Sequence, residues 1–338
     1  MLQVGLFKQI LFILVIEIIM NKKEMNHYTR RNFIKTSAIA LGSVSVAGLP
    51  VACGSNDKTK NVFKYALCNE ILKEFSWAEQ CEITGKAGFK GIELAPFTLV
   101  KEGVQEITQD MRQQMVRDMK NAGIVCPGLH WLFVAPPKGL HFTTPDDQLR
   151  QRSVDYLAKL IDFCGDLGGE IMVFGSPAQR GTSGGISVQE AANYFADGLA
   201  KVADQAKARN VIILVEPLPK KDTDVVNTLE EAMKIVNKVN HPNVATMFDF
   251  HNSVDETEPF SDLIQKYYRN IHHVHVQNMD GSVIMSDKIP QEYIRIFGLL
   301  KKLNYKKWIS VEVFDFSPGG KFIAEESMKT FLEIENRI

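Results

Sequence analysis

Four segments in the second half of the chain each end in a residue able to hold a metal ion or move a proton. Residues 211–215 are apolar throughout and stop at Glu216, ahead of Pro217; 244–248 stop at Asp249; the run Ile-His-His-Val leads to His275; and 308–311 stop at Glu312. Apolar residues that break off at a carboxylate are the pattern of a strand buried on both faces that delivers one acid at its open end. Any one of these carboxylates alone is as simply the start of a loop. Their recurrence in successive segments favours a shared site. Three carboxylates and one imidazole make a hard, oxygen-rich donor set, suited to one divalent ion (manganese, magnesium or cobalt, with zinc the alternative) rather than to a thiolate-bound metal.

Such residues need a scaffold that brings strand ends to one face. From residue 62 onward the chain alternates short apolar runs with amphipathic stretches. Strands are predicted at 63–67, 91–94, 124–129, 171–174, 211–215, 244–248, 271–276 and 308–313. Helices are predicted at 75–87, 110–122, 146–167, 188–208, 228–239, 260–267, 291–303 and 324–334. Helix starts are marked by Thr144-Pro145-Asp146-Asp147 and by Ser187 three residues ahead of Glu190, each a capping hydroxyl before acidic first-turn residues. Eight strand–helix units give an α/β chain that folds as a (β/α)8 TIM barrel in one domain. A doubly wound open sheet competes, but no GxGxxG follows the first strand.

In a barrel of this kind the functional groups lie at the C-terminal strand ends, which adds Asn69, Glu70, Glu93, His130, Trp131, Ser176, Arg180 and His251 to the four residues above. His130 beside Trp131 suits a sugar, one offering a polar group to a hydroxyl and the other an apolar face; the plainer reading is packing. Glu93 ends the run Gly91-Ile92-Glu93-Leu94 at the same rim. Arg180 is a candidate contact for a hydroxyl or carboxylate, while Lys220 reads as solvated. His273 alternates with His275 and shares its face or is a satisfied core histidine; His272 faces the other way.

From about residue 62 to the end, the chain resembles the xylose-isomerase-like barrel family of sugar isomerases and epimerases, which includes ketose 3-epimerases, hydroxypyruvate isomerase and, more distantly, endonuclease IV. The resemblance rests on Leu-Val-Glu216-Pro-Leu, Met-Phe-Asp249-Phe-His-Asn, His-Val-His275-Val and Ser-Val-Glu312-Val-Phe, in that order. It implies a TIM barrel in which Glu216, Asp249, His275 and Glu312 hold one divalent metal and Glu216 and Glu312 double as acid and base. Glu93, His130, His251 and Arg180 are then the candidate substrate contacts. One departure stands out: relatives carry a His three positions after the sixth-strand Asp, whereas here His251 comes two after Asp249.

The chemistry implied is proton abstraction next to a carbonyl, through an enediolate, on an unphosphorylated sugar. Carboxylates on opposite faces would give epimerisation; transfer between adjacent carbons would give isomerisation. The alternatives are a 3-keto-glycoside lyase or hydrolase using the same site and a non-catalytic sugar-binding lipoprotein. An endonuclease is disfavoured because no Asp-x-His element follows His275.

The N-terminal segment carries a different signal. Arg30-Arg31-Asn-Phe-Ile-Lys35 followed by an Ala-, Gly- and Ser-rich apolar stretch resembles a twin-arginine export signal, and Val51-Ala52-Cys53-Gly54 resembles a lipoprotein cleavage box with Cys53 as the lipidated residue, although Pro50 stands where Leu is usual. The apolar run 2–20 is broken by Glu17, which argues against a membrane span and for translation from Met20 or Met25. The expected organisation is an export region at 1–53, a polar tether at 54–61 and the barrel at 62–338, exported to the periplasm or anchored to the membrane by lipid. Residues 1–53 carry six of the 39 Lys and Arg and two of the 40 Asp and Glu, so the remainder has a net charge of −5, which speaks against nucleic acid as a partner. The expected partner is a small carbohydrate; assembly into an oligomer is compatible with the sequence. Five cysteines without CxxC spacing indicate neither a zinc ribbon nor a redox dithiol, and free buried thiols are expected.

Overall fold

In the computed structural model, residues 62–338 are described. Arg30, Arg31, Cys53 and the alternative starts Met20 and Met25 lie outside the described residues.

Eight parallel strands run in chain order: β1 Lys64–Cys68, β2 Gly91–Glu93, β3 Gly128–Leu129, β4 Ile171–Phe174, β5 Ile212–Val215, β6 Val244–Asp249, β7 Ile271–Val276 and β8 Trp308–Val311. The hydrogen-bonded order is β2-β1-β8-β7-β6-β5-β4-β3. Bridges from Gly91 to Val125 and from Leu94 to Leu129 join the two ends of that order and close the barrel, as predicted. The third strand is much shorter than the predicted 124–129. Pro127 has no N–H to give a ladder, and its carbonyl accepts from Glu170 and Ile171 instead, so regular pairing begins only at Gly128.

Helices α1 Trp77–Ala87, α2 Gln109–Asn121, α3 Asp147–Asp166, α4 Val188–Ala208, α5 Leu229–Val239, α6 Phe260–Tyr267, α7 Gln291–Lys302 and α8 Gly320–Asn336 follow the strands in turn. Ser187 caps α4 through a capping box with Glu190, as read from the sequence. At α3 the cap is Asp146, whose carboxylate accepts from the N–H groups of Gln148 and Leu149; Thr144 is not the cap. The last helix starts four residues before the predicted position, because the Gly-rich turn at 319–320 opens it instead of preceding it. Each helix buries one stripe, as α5 does with Leu229, Ala232, Ile235 and Val236. No helix among the described residues is long and apolar enough to cross a membrane.

The strands alternate between two environments. Outward residues such as Met172, Phe174, Ile213 and Val215 pack under the helices, and Tyr65 stacks on Phe331 of α8 at 4.1 Å. Between them, Ile171, Val173, Leu214, Ala245 and Met247 form a separate apolar cluster on β4, β5 and β6. On the other strands the corresponding positions hold Cys68, Glu93, His273 and Ser310, all buried. Cys68, Cys81, Cys126 and Cys164 are free and buried, as expected.

Candidate active site

The four strand-end residues converge. Register places Asp249 of β6 opposite His275 of β7, after a shift in pairing between Thr246 and Phe248, and His275 opposite Ser310 of β8. A local irregularity of this kind re-aims a side chain at a strand's end. Glu216 and Glu312 follow directly on β5 and β8. One donor atom from each of Glu216, Asp249, His275 and Glu312 lies within 4.8 Å of all the others, and all four residues are buried. The approach of Glu216 requires a neighbour without a side chain, because a Cβ on Gly175 would stand 2.2 Å from Glu216 Oε2.

Each member of the set is held by a partner. His275 presents Nδ1 to Glu312 Oε2 at 3.0 Å and to Asp249 Oδ2 at 3.6 Å, while its Nε2 lies 3.2 Å from Glu93 Oε1. That contact leaves Nδ1 as the donor atom facing the site. Asp249 accepts from Gln277 Nε2 at 3.2 Å and from the Asn252 N–H at 2.7 Å. Glu216 accepts from Asn252 Nδ2 at 3.0 Å, and Glu312 from Trp131 Nε1 at 2.5 Å.

Beneath the set lies a buried network of carboxylates and imidazoles. Glu93 also meets His273 Nε2 at 2.8 Å, and His130 Nε2 meets Glu70 Oε2 at 2.9 Å. Burial pushes Glu216 up to about 8, reinforced by the charges of Glu312 and Asp249. Burial works the same way on Glu312, but His275, His130 and the Trp131 N–H outweigh it and hold that carboxyl below its ordinary value. Burial would lower His130, yet Glu70, Glu93 and Glu312 push it up to about 9. Two neighbouring carboxyls are thus driven apart, the arrangement that separates an acid from a base.

The donor set fits a divalent cation. Three buried carboxylates within reach of one another repel unless a proton or a cation intervenes, and the upward shift of Glu216 is the protein's response when only its own groups are present. Oxygen donors with one imidazole match hard divalent ions.

Above the set opens a cavity of ≈ 560 Å³ whose wall includes Glu216, Glu312, Asn252, His251, Trp131 and Phe314. Of the expected substrate contacts, His251 reaches this wall, its Nδ1 lying 2.8 Å from the Met279 carbonyl oxygen. Three others do not. Glu93 and His130 are wholly buried in the network below, turned toward His273, His275 and Glu70. Arg180 is wholly buried too, and it donates to the carbonyls of Phe174 and Val226, tying the end of β4 to the segment after β5. The expected contact with a substrate hydroxyl or carboxylate is thus replaced by two backbone carbonyls, which also accept the N–H groups of Glu216 and Leu218 and are invisible in sequence.

Sequence reasoning missed Asn252, Gln277 and Gly175. For Asn252 a signal existed, since it stands three positions after Asp249, where the resemblance expects a site residue. The position reaches the site and the residue type has changed.

The xylose isomerase-like TIM barrel family matches residues 81–334. A probable ketose 3-epimerase of Synechocystis is 25% identical over 182 residues, 53% of this chain and 62% of that protein. A probable endonuclease 4 of Acholeplasma laidlawii is 25% identical over 202 residues, 56% of this chain and 66% of that protein. The chain therefore spans about two thirds or less of the length of these curated relatives. Among solved structures, a D-psicose 3-epimerase of Clostridium cellulolyticum H10, crystallised with D-tagatose, superposes with a TM-score of 0.68 at 16% identity, over 81% of this chain and 98% of that one.

Proposed function

This chain belongs to the xylose isomerase-like TIM barrel family, and from that premise we propose that it is a metal-dependent sugar epimerase or isomerase that moves a proton at the carbon next to a carbonyl. The observation that carries the reading is that Glu216 and Glu312, at the two ends of the β5–β8 arc, line the cavity and also complete the four-residue donor set.

A divalent cation held by Glu216, Asp249, His275 and Glu312 would offset the negative charge that develops on the substrate oxygens. The protein's own groups do the rest. One carboxylate removes the proton from the carbon next to the carbonyl, leaving an enediolate, and the other returns a proton to the opposite face, which inverts that centre. Asn252 and the Trp131 N–H fix the two carboxylates while they exchange roles. Among the described wall residues Lys221 is the single lysine or arginine, against the carboxylates of Glu216, Asp222, Asp280 and Glu312. This balance favours a neutral sugar over a phosphorylated one or a nucleic acid.

The test is deuterium incorporation from solvent into each epimer separately. Glu216→Gln and Glu312→Gln keep an amide oxygen for the cation but cannot act as bases, so each should lose ~10²–10⁴-fold in exchange for one epimer. Wild-type exchange of both epimers in both variants would remove the assignment. We also propose export through the twin-arginine route with a lipid anchor at Cys53. Arg30→Lys with Arg31→Lys should retain the precursor inside the cell, and Cys53→Ser should release the protein from membranes; normal export or unchanged membrane retention would refute the respective point.

A further inference from the structure

The cavity is larger than one sugar requires. A hexose has twelve heavy atoms, and even at the ~30 Å³ that a whole water occupies in the liquid it would need no more than ~360 Å³. The cavity offers ≈ 560 Å³.

The surplus has a definite wall. Trp131 is tied to Glu312 through its indole N–H, and its ring continues into that of Phe314, with centroids 6.1 Å apart and planes 29° from parallel. Phe314 is 37% exposed: it packs against Trp131 and, with centroids 5.0 Å apart, against His251, and leaves the rest of its ring on the cavity wall. Its place is nonetheless fixed. The Phe314 N–H donates to the Gly281 carbonyl at 2.8 Å, and Gly281, at φ +84°, leaves room that a Cβ would take, 3.0 Å from the ring. Trp131 sits at φ +50°, a conformation that bulky residues rarely adopt and that persists where its surroundings impose it. The same cavity wall includes Gln179, Lys221 and Asp222, which offer hydrogen bonds. An apolar face with a few polar groups on the same wall is what a sugar ring, with its C–H face and hydroxyl rim, can use.

We propose that this site takes a substrate of two units, a disaccharide or a glycoside with a ring-sized second unit. The reacting sugar lies at Glu216 and Glu312, and the second unit on the Trp131–Phe314 face. The proposal rests on the reading of the site as a sugar epimerase or isomerase.

Its test compares matched pairs on the full, divalent-cation-loaded chain: D-fructose against isomaltulose, a glucosyl-fructose, and 3-ketoglucose against 3-ketosucrose. Binding is read by calorimetry and kcat/KM by solvent deuterium exchange. The two-unit member of at least one pair should be favoured by about tenfold or more, and Phe314→Ala should reduce that preference to about threefold or less while Phe314→Tyr, which keeps the ring face, preserves it. Equal or better use of the one-unit sugars would overturn the proposal and leave the underlying reading intact. A preference that persists in Phe314→Ala would overturn the placement of the second unit. Neither binding nor exchange with any of the four sugars would count against both.

Discussion

One arc of the barrel interior, on β4, β5 and β6, is filled by Ile171, Val173, Leu214, Ala245 and Met247 below the rim. The other, on β7, β8 and β1 to β3, holds His273, His275, Ser310, Cys68, Glu93 and, at the strand ends, Glu70 and His130. Both arcs are built of parallel strands followed by helices, and what most separates them is the side chains they turn inward. The apolar arc is close-packed and contributes stability by burial. The polar arc places carboxylates against imidazoles, and such pairs largely offset their own desolvation without adding much to stability. Several of its polar atoms, among them Glu70 Oε1, His273 Nδ1 and Ser310 Oγ, have no protein partner. The lesson is a division of labour. Below the rim one arc keeps the barrel folded while the other carries buried polar groups, and at the rim both supply the donor set, Glu216 and Asp249 from β5 and β6 and His275 and Glu312 from β7 and β8.

Substitutions in the donor set at the rim and in the apolar cluster below it should therefore fail differently. The largest effect is expected at the donor set: Asp249→Ala and His275→Ala should abolish measurable bound divalent ion and solvent exchange with a melting temperature near that of the metal-free parent. Full occupancy by elemental analysis in both would break the assignment. On the apolar arc, Leu214→Ala should cost ~2–5 kcal/mol of stability, read by denaturant unfolding, while one ion per folded chain is retained. Loss of metal in the folded variant would show that the apolar cluster and the rim are not separable.

A smaller effect is expected at Glu93, which supports His275 from behind. Glu93→Gln should weaken divalent-ion affinity by ~10–100-fold without changing its stoichiometry; unchanged affinity by equilibrium dialysis would reduce Glu93 to a packing role.

The smallest effect concerns pH. In the metal-free chain, Glu216 is held up to about 8 against an ordinary 4.5, and His130 up to about 9 against an ordinary 6.5. Both groups bind protons more tightly folded than unfolded. The contribution of His130 is fully present below pH 6.5 and is lost toward pH 9, and the penalty from Glu216 grows from pH 4.5 to 8, so stability should fall as pH rises from about 6.5 to 8. A saturating divalent cation should remove that fall, because it binds the deprotonated ligands. A metal-free melting temperature that is flat or rises across this window would contradict the pairing described here.

Legibility in the sequence followed the same division. The apolar runs of β4 to β6 and the acids that end β5 and β6 were readable because a strand buried on both faces leaves a continuous signature. Glu312 and His275 were readable by position. What they contact was not, because the choice of His275 Nδ1 depends on Glu93, a residue 182 positions away in sequence. Arg180 was misplaced for a related reason: its partners are carbonyls of Phe174 and Val226, and backbone groups carry no sequence identity. The truncation of β3 was foreseeable from Pro127, which cannot donate within a ladder.

The central claim is that the four strand-end residues hold one ion and that proton transfer depends on it. The most direct test titrates the metal-free full chain with Mn²⁺ and follows, on the same samples, bound manganese and the rate at which solvent deuterium enters the carbon next to the carbonyl of a sugar substrate. The account predicts saturation at one ion per chain with exchange rising in proportion to occupancy. Exchange that is already maximal without metal, or one bound ion with no exchange on any ketose or keto-glycoside, would contradict it.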